Sequence, residues 1–319
     1  MTQSSPMIVA HGGVGALSSY RDGCQAAVQA GLQKLAQGGD ALQAAVATVC
    51  VLEDDPRFNA GTGSVLRLDG ATIEMDASVM DSAGRLGAVA GLQLVRHPVE
   101  VAAAVAGTPH WLLVGEGALR FARKMGASPY DATTPQARGK HRQLLAKLGG
   151  TEPLVHGRDN GEFLANWNYP AAAPEVSGDV SRPVRDAQSA SSSARAGEPC
   201  DTVGAVVRDG VGRFAVAAST GGCSPALLGR VGDTPIIGAG FYAGTAAAVA
   251  VTGIGEQIVR HLLAFRVYQW IAEGMSVKAA LERGLALFDP AVEVGLIAVS
   301  GTDSAAASNR DMPWADAAA

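Results

Sequence analysis

The pattern of apolar and polar positions divides the chain into three stretches. Met7-Ile8-Val9-Ala10 runs into His11-Gly12-Gly13-Val14-Gly15, which predicts a buried strand entering a tight glycine turn. Ala- and Val-rich helices are expected over 20–37 and 40–53, with Gly38-Gly39 stopping the first and Asp40 capping the second. Strands follow at 65–68, 72–79 and 86–94. The alternation of Ile73 to Met80 suits an antiparallel sheet. Helices are expected at 99–106, 116–125 and 135–148.

From Gly149 to Cys200 the periodicity disappears. Ser189-Ala190-Ser191-Ser192-Ser193-Ala194-Arg195 offers nothing to bury, so about 150–201 reads as a flexible linker. Order returns at Thr202. A hairpin over 202–207 and 213–219 is signalled by Asp209-Gly210 in its turn. Further strands are expected at 235–238 and 246–251, then a long amphipathic helix at 255–273, a helix at 276–287 and a strand at 294–300. Two groups of antiparallel strands, each flanked by helices, imply an α+β fold in a four-layer αββα sandwich, one domain spanning 1–319.

Composition narrows the chemistry. Aromatics make up only 5% while glycine numbers 40, so elements pack through small side chains. A net charge of −5 gives no reason to expect a nucleic-acid or anionic-membrane partner, and a small-molecule substrate becomes the default. Met1 to Pro6 lacks the basic and apolar regions of a secretory signal, and no apolar run is long enough to span a membrane. Cys24, Cys50, Cys200 and Cys223 lack C-x-x-C spacing, which argues against a zinc site or a disulfide framework and favours a reducing cytoplasm.

Thr202 stands where the linker gives way to a strand. If the Asp201–Thr202 bond breaks, the freed α-amine lies beside its own Oγ, and an unperturbed pKa of roughly 7.7–8.0 suits it as the base for that hydroxyl. No histidine is then required. Before cleavage, Thr202 Oγ could attack the Asp201 carbonyl and cut its own chain. Arg230 offers a planar fork for a carboxylate and Asp233 can hold an ammonium, both on the constrained Gly229-Arg230-Val231-Gly232-Asp233 loop. A phosphate-binding loop at 11–15 is disfavoured, because the glycines do not follow G-x-G-x-x-G and no Gly-Lys-Ser/Thr appears.

Several spaced motifs together resemble the plant-type asparaginase/isoaspartyl peptidase family. They are His11-Gly12-Gly13, Phe58-Asn59-Ala60-Gly61-Thr62-Gly63, Met75-Asp76-Ala77-Ser78-Val79-Met80-Asp81, Thr202-Val203-Gly204-Ala205-Val206, Ala218-Ser219-Thr220-Gly221-Gly222 and the run from Gly229 to Gly240. The resemblance implies an N-terminal-nucleophile hydrolase that cleaves itself into chains 1–201 and 202–319. It implies Thr202 as nucleophile, Thr220 hydrogen-bonded to it, Asn59 near it, and Arg230 and Asp233 on the substrate's α-groups. Thr252 and Gly253 would bind substrate and form the oxyanion hole. It further implies no catalytic cofactor, a dimer of cleaved units, and a structural sodium ion on the backbone carbonyls of Leu52, Glu53, Asp55, Phe58, Ala60 and Thr62. The sequence departs from the family where Ser224-Pro225-Ala226-Leu227-Leu228 replaces Asn-Lys-x-Pro. Other readings of the same residues are a glycosylasparaginase-like amidase, a threonine endopeptidase of the same fold, and a glycine-rich nucleotide-binding domain without hydrolytic activity.

Overall fold

The computed structural model describes residues 5–148, 160–170 and 202–319. In chain order the elements are β1 (Met7–His11), α1 (Arg21–Ala36), α2 (Ala41–Asp54), β2 (Met75–Asp81), β3 (Leu86–Leu92), α3 (Pro98–Val105), β4 (Leu112–Val114), α4 (Gly115–Lys124), α5 (Pro135–Leu148) and α6 (Asn160–Ala165). After these come β5 (Val203–Arg208), β6 (Phe214–Thr220), β7 (Phe241–Ala243), β8 (Ala247–Gly253), α7 (Gly255–His261), α8 (Leu263–Ala272), α9 (Val277–Leu285), β9 (Val294–Ser300), β10 (Ser304–Ser308) and β11 (Trp314–Ala318).

The strands form a seven-stranded sheet in the order β11-β1-β5-β6-β2-β3-β4 and a four-stranded sheet in the order β10-β9-β8-β7. Side chains that alternate along β5 go to different cores. Val203, Ala205 and Val207 pack with the helix-side cluster that includes Leu42, Val49 and Leu52. Val206 enters a cluster with Val216, Phe241, Ala250 and Ile297 between the two sheets. On the far side, Val249, Val251 and Leu296 pack against Leu263, Val267 and Leu281 of α8 and α9. Three cores separate four layers, so the expected αββα sandwich holds.

Small residues set the spacing between the sheets. A Cβ on Gly204 would meet Ala250 Cβ at 3.1 Å and His11 Nε2 at 2.6 Å. The glycine and alanine content read from the sequence is therefore what lets β5 lie against β8.

Some elements differ from the sequence reading. Residues 65–68 form no strand: Arg67 N donates to Thr72 O (2.8 Å), and Asp69 Oδ1 accepts from Ala71 N and Thr72 N (3.0 and 2.9 Å), closing an Asx-stabilised turn. The strand expected at 72–79 begins at Met75. Residues 235–238 also turn, because Asp233 O accepts from both Ile236 N and Gly240 N. The helix expected over 255–273 is interrupted at Leu262 (φ 47°, ψ 50°). That left-handed residue lets Ala264 N and Phe265 N at the start of α8 donate to Ala239 O and Gly238 O (3.1 and 2.9 Å), which satisfies the donors a helix start leaves over. β4, β7, β10 and β11 were not anticipated. The last two add edges next to β9 and β1.

Most of the expected linker, and Asp201 with it, lies outside the described residues. Residues 160–170, however, are folded onto the domain, which corrects the reading of 150–201 as flexible throughout. Tyr169, 6% exposed, packs with Leu68, Leu144 and Leu148. Its hydroxyl donates to Ala226 O (2.6 Å), and Asn168 exchanges two hydrogen bonds of 3.0 Å with the Leu228 backbone. This segment grips the loop that departs from the family pattern. Tyr169→Phe leaves the Ala226 carbonyl without that donor and is expected to cost about 1–2 kcal/mol of stability, measured by denaturant unfolding.

Candidate active site

Thr202 immediately precedes β5, a central strand covered on both faces, and is only 4% exposed. Its backbone N–H donates to Thr252 Oγ1 at 3.4 Å, a long contact that crosses from the large sheet to the small one. Val14 N donates to the same oxygen at 3.3 Å. A hydroxyl that accepts two N–H groups keeps its own proton for a third partner, so Thr252 is free to donate to developing negative charge.

Thr220 stands on the neighbouring strand as anticipated: Val203 pairs with Ser219, which sets Thr220 opposite Thr202. Its hydroxyl, however, accepts from Gly222 N (3.0 Å), and the hydroxyl within reach of Thr202 Oγ1 is that of Thr234, at 3.4 Å. The expected Thr220–Thr202 hydrogen bond is thus replaced by one to Thr234. The local cause is the tight turn Thr220-Gly221-Gly222, where Gly222 has φ +78° and its N–H folds back on the threonine. The signal for Thr234 was available, since it adjoins Asp233 on the substrate loop.

Asn59 does not bond Thr202 directly. Its Oδ1 accepts from Val65 N (3.0 Å), its Nδ2 donates to Gly222 O (2.6 Å), and its carbonyl accepts from Gly221 N (2.9 Å). It locks the 58–65 loop onto the turn after Thr220. Gly253 ends β8 with φ +142°, and a Cβ there would strike Glu293 O, so only glycine fits.

The Arg230 fork is engaged. Its Nε and Nη2 donate to the two carboxylate oxygens of Glu256 at 2.9 and 2.8 Å, with the arginine side chain 15% exposed and Glu256 54% exposed. A carboxylate in bidentate geometry already sits where the sequence reading expects a substrate carboxylate to bind. Asp233 lies beside it, buried, with Oδ2 lacking a protein partner. Burial lifts the Asp233 carboxyl to about 7, against the pull of Arg230 and with a further push from Glu256 and Asp76.

Two residues that the sequence reading quoted only within motifs join the site. Asp76, opposite Thr220 on β2, is fully buried; burial raises its carboxyl above the usual range, although Gly91 N donates to Oδ1 at 2.9 Å. His11 is also fully buried, and burial pushes it down to about 3, so it is neutral. Gly13 N donates to His11 Nδ1 (3.2 Å), which leaves the proton on Nε2, beside Gly204.

The last turn of α2 and the loop after it carry the carbonyls expected to hold sodium. A Cβ on Gly61 would lie 2.5 Å from Glu53 O, and one on Gly63 would strike Phe58 O. These glycines leave room for inward-turned carbonyls, the hard oxygen donors that suit a sodium ion. The set is only partly uncommitted, because Asp55 O accepts from Phe58 N and Ala60 O from Gly63 N, both at 3.1 Å.

A strand-leading threonine between the sheets of an αββα sandwich, faced by hydroxyls and an Arg–Asp loop, is the arrangement of an N-terminal-nucleophile hydrolase. The chain belongs to the asparaginase family, whose profile it matches over residues 4–318. It is 39% identical over 288 residues to the plant-type L-asparaginase of Pyrococcus furiosus, covering 88% of this chain and 84% of that one. It is 36% identical over 326 residues to the human isoaspartyl peptidase/L-asparaginase, covering 98% and 93%.

The raised Asp233 carboxyl carries a stability consequence. Between the unfolded value of 3.8 and about 7 the folded protein binds more protons there than the unfolded chain, so this group's contribution falls as pH rises through that window. Asp233→Asn is expected to be more stable than the parent at pH 8, by up to about 4 kcal/mol, with the advantage shrinking to nothing near pH 4. Denaturant unfolding of both proteins at the two pH values checks it.

Proposed function

We propose that the protein is an amidohydrolase that cuts its own chain before Thr202 and then hydrolyses the β-aspartyl amide bond of L-asparagine or of isoaspartyl dipeptides, releasing L-aspartate. The observation that carries this reading is the position of Thr202, with its nitrogen against Thr252 Oγ1 and its hydroxyl against Thr234 Oγ1, in a member of the asparaginase family.

After cleavage between Asp201 and Thr202, the chains 1–201 and 202–319 stay together through the paired strands of the large sheet, β1 with β5 and β2 with β6. The Thr202 amine takes the Oγ proton as Oγ attacks the side-chain carbonyl. The oxyanion is met by the Thr252 hydroxyl and the Gly253 N–H, a preorganised pair worth about 3–4 kcal/mol for each donor. The amine returns the proton to the departing ammonia or amino acid, and water then cleaves the ester. Arg230 receives the substrate α-carboxylate, which takes over the fork held by Glu256, and Asp233 receives the α-ammonium, which supplies Oδ2 with a donor and favours its charged form.

No catalytic cofactor enters these steps. Sodium on the carbonyls of Leu52, Glu53, Asp55, Phe58, Ala60 and Thr62 would fix the loop that presents Asn59 and take no part in bond breaking. The acting form is proposed to be a cytoplasmic homodimer of cleaved units. No helix among the described residues is long and apolar enough to cross a membrane.

Mass spectrometry of the incubated protein is expected to give two fragments, the smaller beginning at Thr202, together with aspartate release from L-asparagine or a β-aspartyl dipeptide. An intact chain inactive on both substrates overturns the proposal. Thr202→Ala is expected to stay uncut. Thr252→Ala, assayed on chain that has matured, should lower kcat by about 100- to 1,000-fold.

A further inference from the structure

We propose that Cys50, Glu53 and His97 form a binding site for a zinc-class divalent cation, outside the catalytic machinery. One ligand atom from each of the three lies within 4.8 Å of the others. Cys50 and Glu53 stand three residues apart on α2 and so share a face of the helix, and His97 directly precedes α3. His97 Nδ1 and Glu53 Oε2 are 3.2 Å apart. A nitrogen and an oxygen bound at about 2.0–2.2 Å to tetrahedral zinc stand roughly 3.3 Å from each other, so two ligands are already at their working separation.

The surroundings hold these ligands in place. His97 Nε2 lies 3.5 Å from Asp54 Oδ1, and that carboxylate is held by Arg96 Nε at 2.8 Å. A carboxylate on the far nitrogen fixes the ring and its tautomer, as in carboxylate–histidine–metal triads. Glu53 Oε1 accepts from Val99 N (3.0 Å), which leaves Oε2 toward the ion. A cation here replaces the proton shared by Nδ1 and Oε2 and expels the Cys50 thiol proton, so both protons leave to solvent.

Donor chemistry selects the metal. Imidazole, carboxylate and thiolate together suit zinc or cobalt(II) over magnesium or calcium, which take oxygen ligands alone. On its Cys50 side the set meets a cleft of about 680 Å³, lined also by Leu42, Val46, Glu100 and Ala103. Water from that cleft supplies the fourth ligand. The ion would bridge the last turn of α2 to the start of α3. The C-x-x-C test applied to the sequence could not find this set, because its third member is 44 residues from Glu53 and only the fold brings it in.

The test is a cobalt(II) titration of chelator-stripped full-length protein, followed by zinc calorimetry. One equivalent of cobalt is expected to give a thiolate-to-metal charge-transfer band that zinc then bleaches. Cys50→Ser should abolish the band and weaken zinc binding by about 100-fold, and Asp54→Ala should weaken it about tenfold while keeping the band. Unfolding of the metal-free variants, compared with the parent, separates a lost ligand from a lost fold; His97→Gln serves if Cys50→Ser does not fold. The proposal is overturned if the parent gives no band, or if band and affinity survive in both ligand variants. Neither readout uses catalysis, so the outcome is separate from that of the proposed hydrolase activity.

Discussion

The contact between Thr202 N and Thr252 Oγ1 joins a residue of the large sheet to one of the small sheet, and the site exists only because the sheets come close enough to make it. That closeness depends on side-chain size. Gly204 and Ala250 face each other between the layers, and a larger residue at Gly204 would meet Ala250 Cβ and the ring of His11. Close packing and chemistry are therefore one constraint here: the small residues that pack the sandwich also bring the two halves of the site into reach.

The same geometry explains why charged groups in the site carry little solvent. Asp76, Asp233 and His11 are each buried, and burial moves each toward its neutral form. His11 beside β5 is neutral, and among the described residues it is the one buried histidine. The buried Asp233 carboxyl, with Oδ2 lacking a protein partner, ionises at a cost in stability, as groups in functional sites often do. Glu256 balances the loop from the other side by occupying the Arg230 fork.

Much of the architecture was legible because the signals were local. The β5–β6 hairpin, α2 with its Asp40 cap, and the layered class all follow from periodicity and turn chemistry within short windows. What escaped was decided by distant partners. Residues 65–68 are β-branched and leucine-rich, yet Arg67 and Asp69 tie them into a turn. The long helix breaks at Leu262 because carbonyls from the 238–239 turn are better partners for the start of α8 than another turn of helix would be. β10 and β11 are short and alanine-rich and become strands only by pairing with β9 and β1. The site follows the same division: Thr202, Thr252, Gly253, Arg230 and Asp233 are expected from residue type and motif. The hydroxyl that reaches Thr202, from Thr234, depends on how the 233–240 turn curls.

The loop from Cys223 to Arg230 carries this dependence furthest. Arg67, fully buried, donates to Cys223 O at 3.0 Å, and Glu74 accepts from Gly229 N at 2.8 Å, so a buried ion pair holds both ends. From outside, Asn168 and Tyr169 hold Leu228 and Ala226. A buried Arg–Glu pair is costly to desolvate and contributes little net stability by itself; here Arg67 Nη1 also donates to Cys223 O at 3.0 Å and Nη2 to Glu74 O and Arg230 O at 3.3 and 3.5 Å. The pair is therefore better understood as fixing loop conformation than as holding the fold together. The 224–228 segment is thus held from both sides, with Ser224 Oγ also donating to Leu66 O at 3.1 Å. The segment that the sequence suggested as a mere tether thus contributes, through Asn168 and Tyr169, to where Arg230 stands.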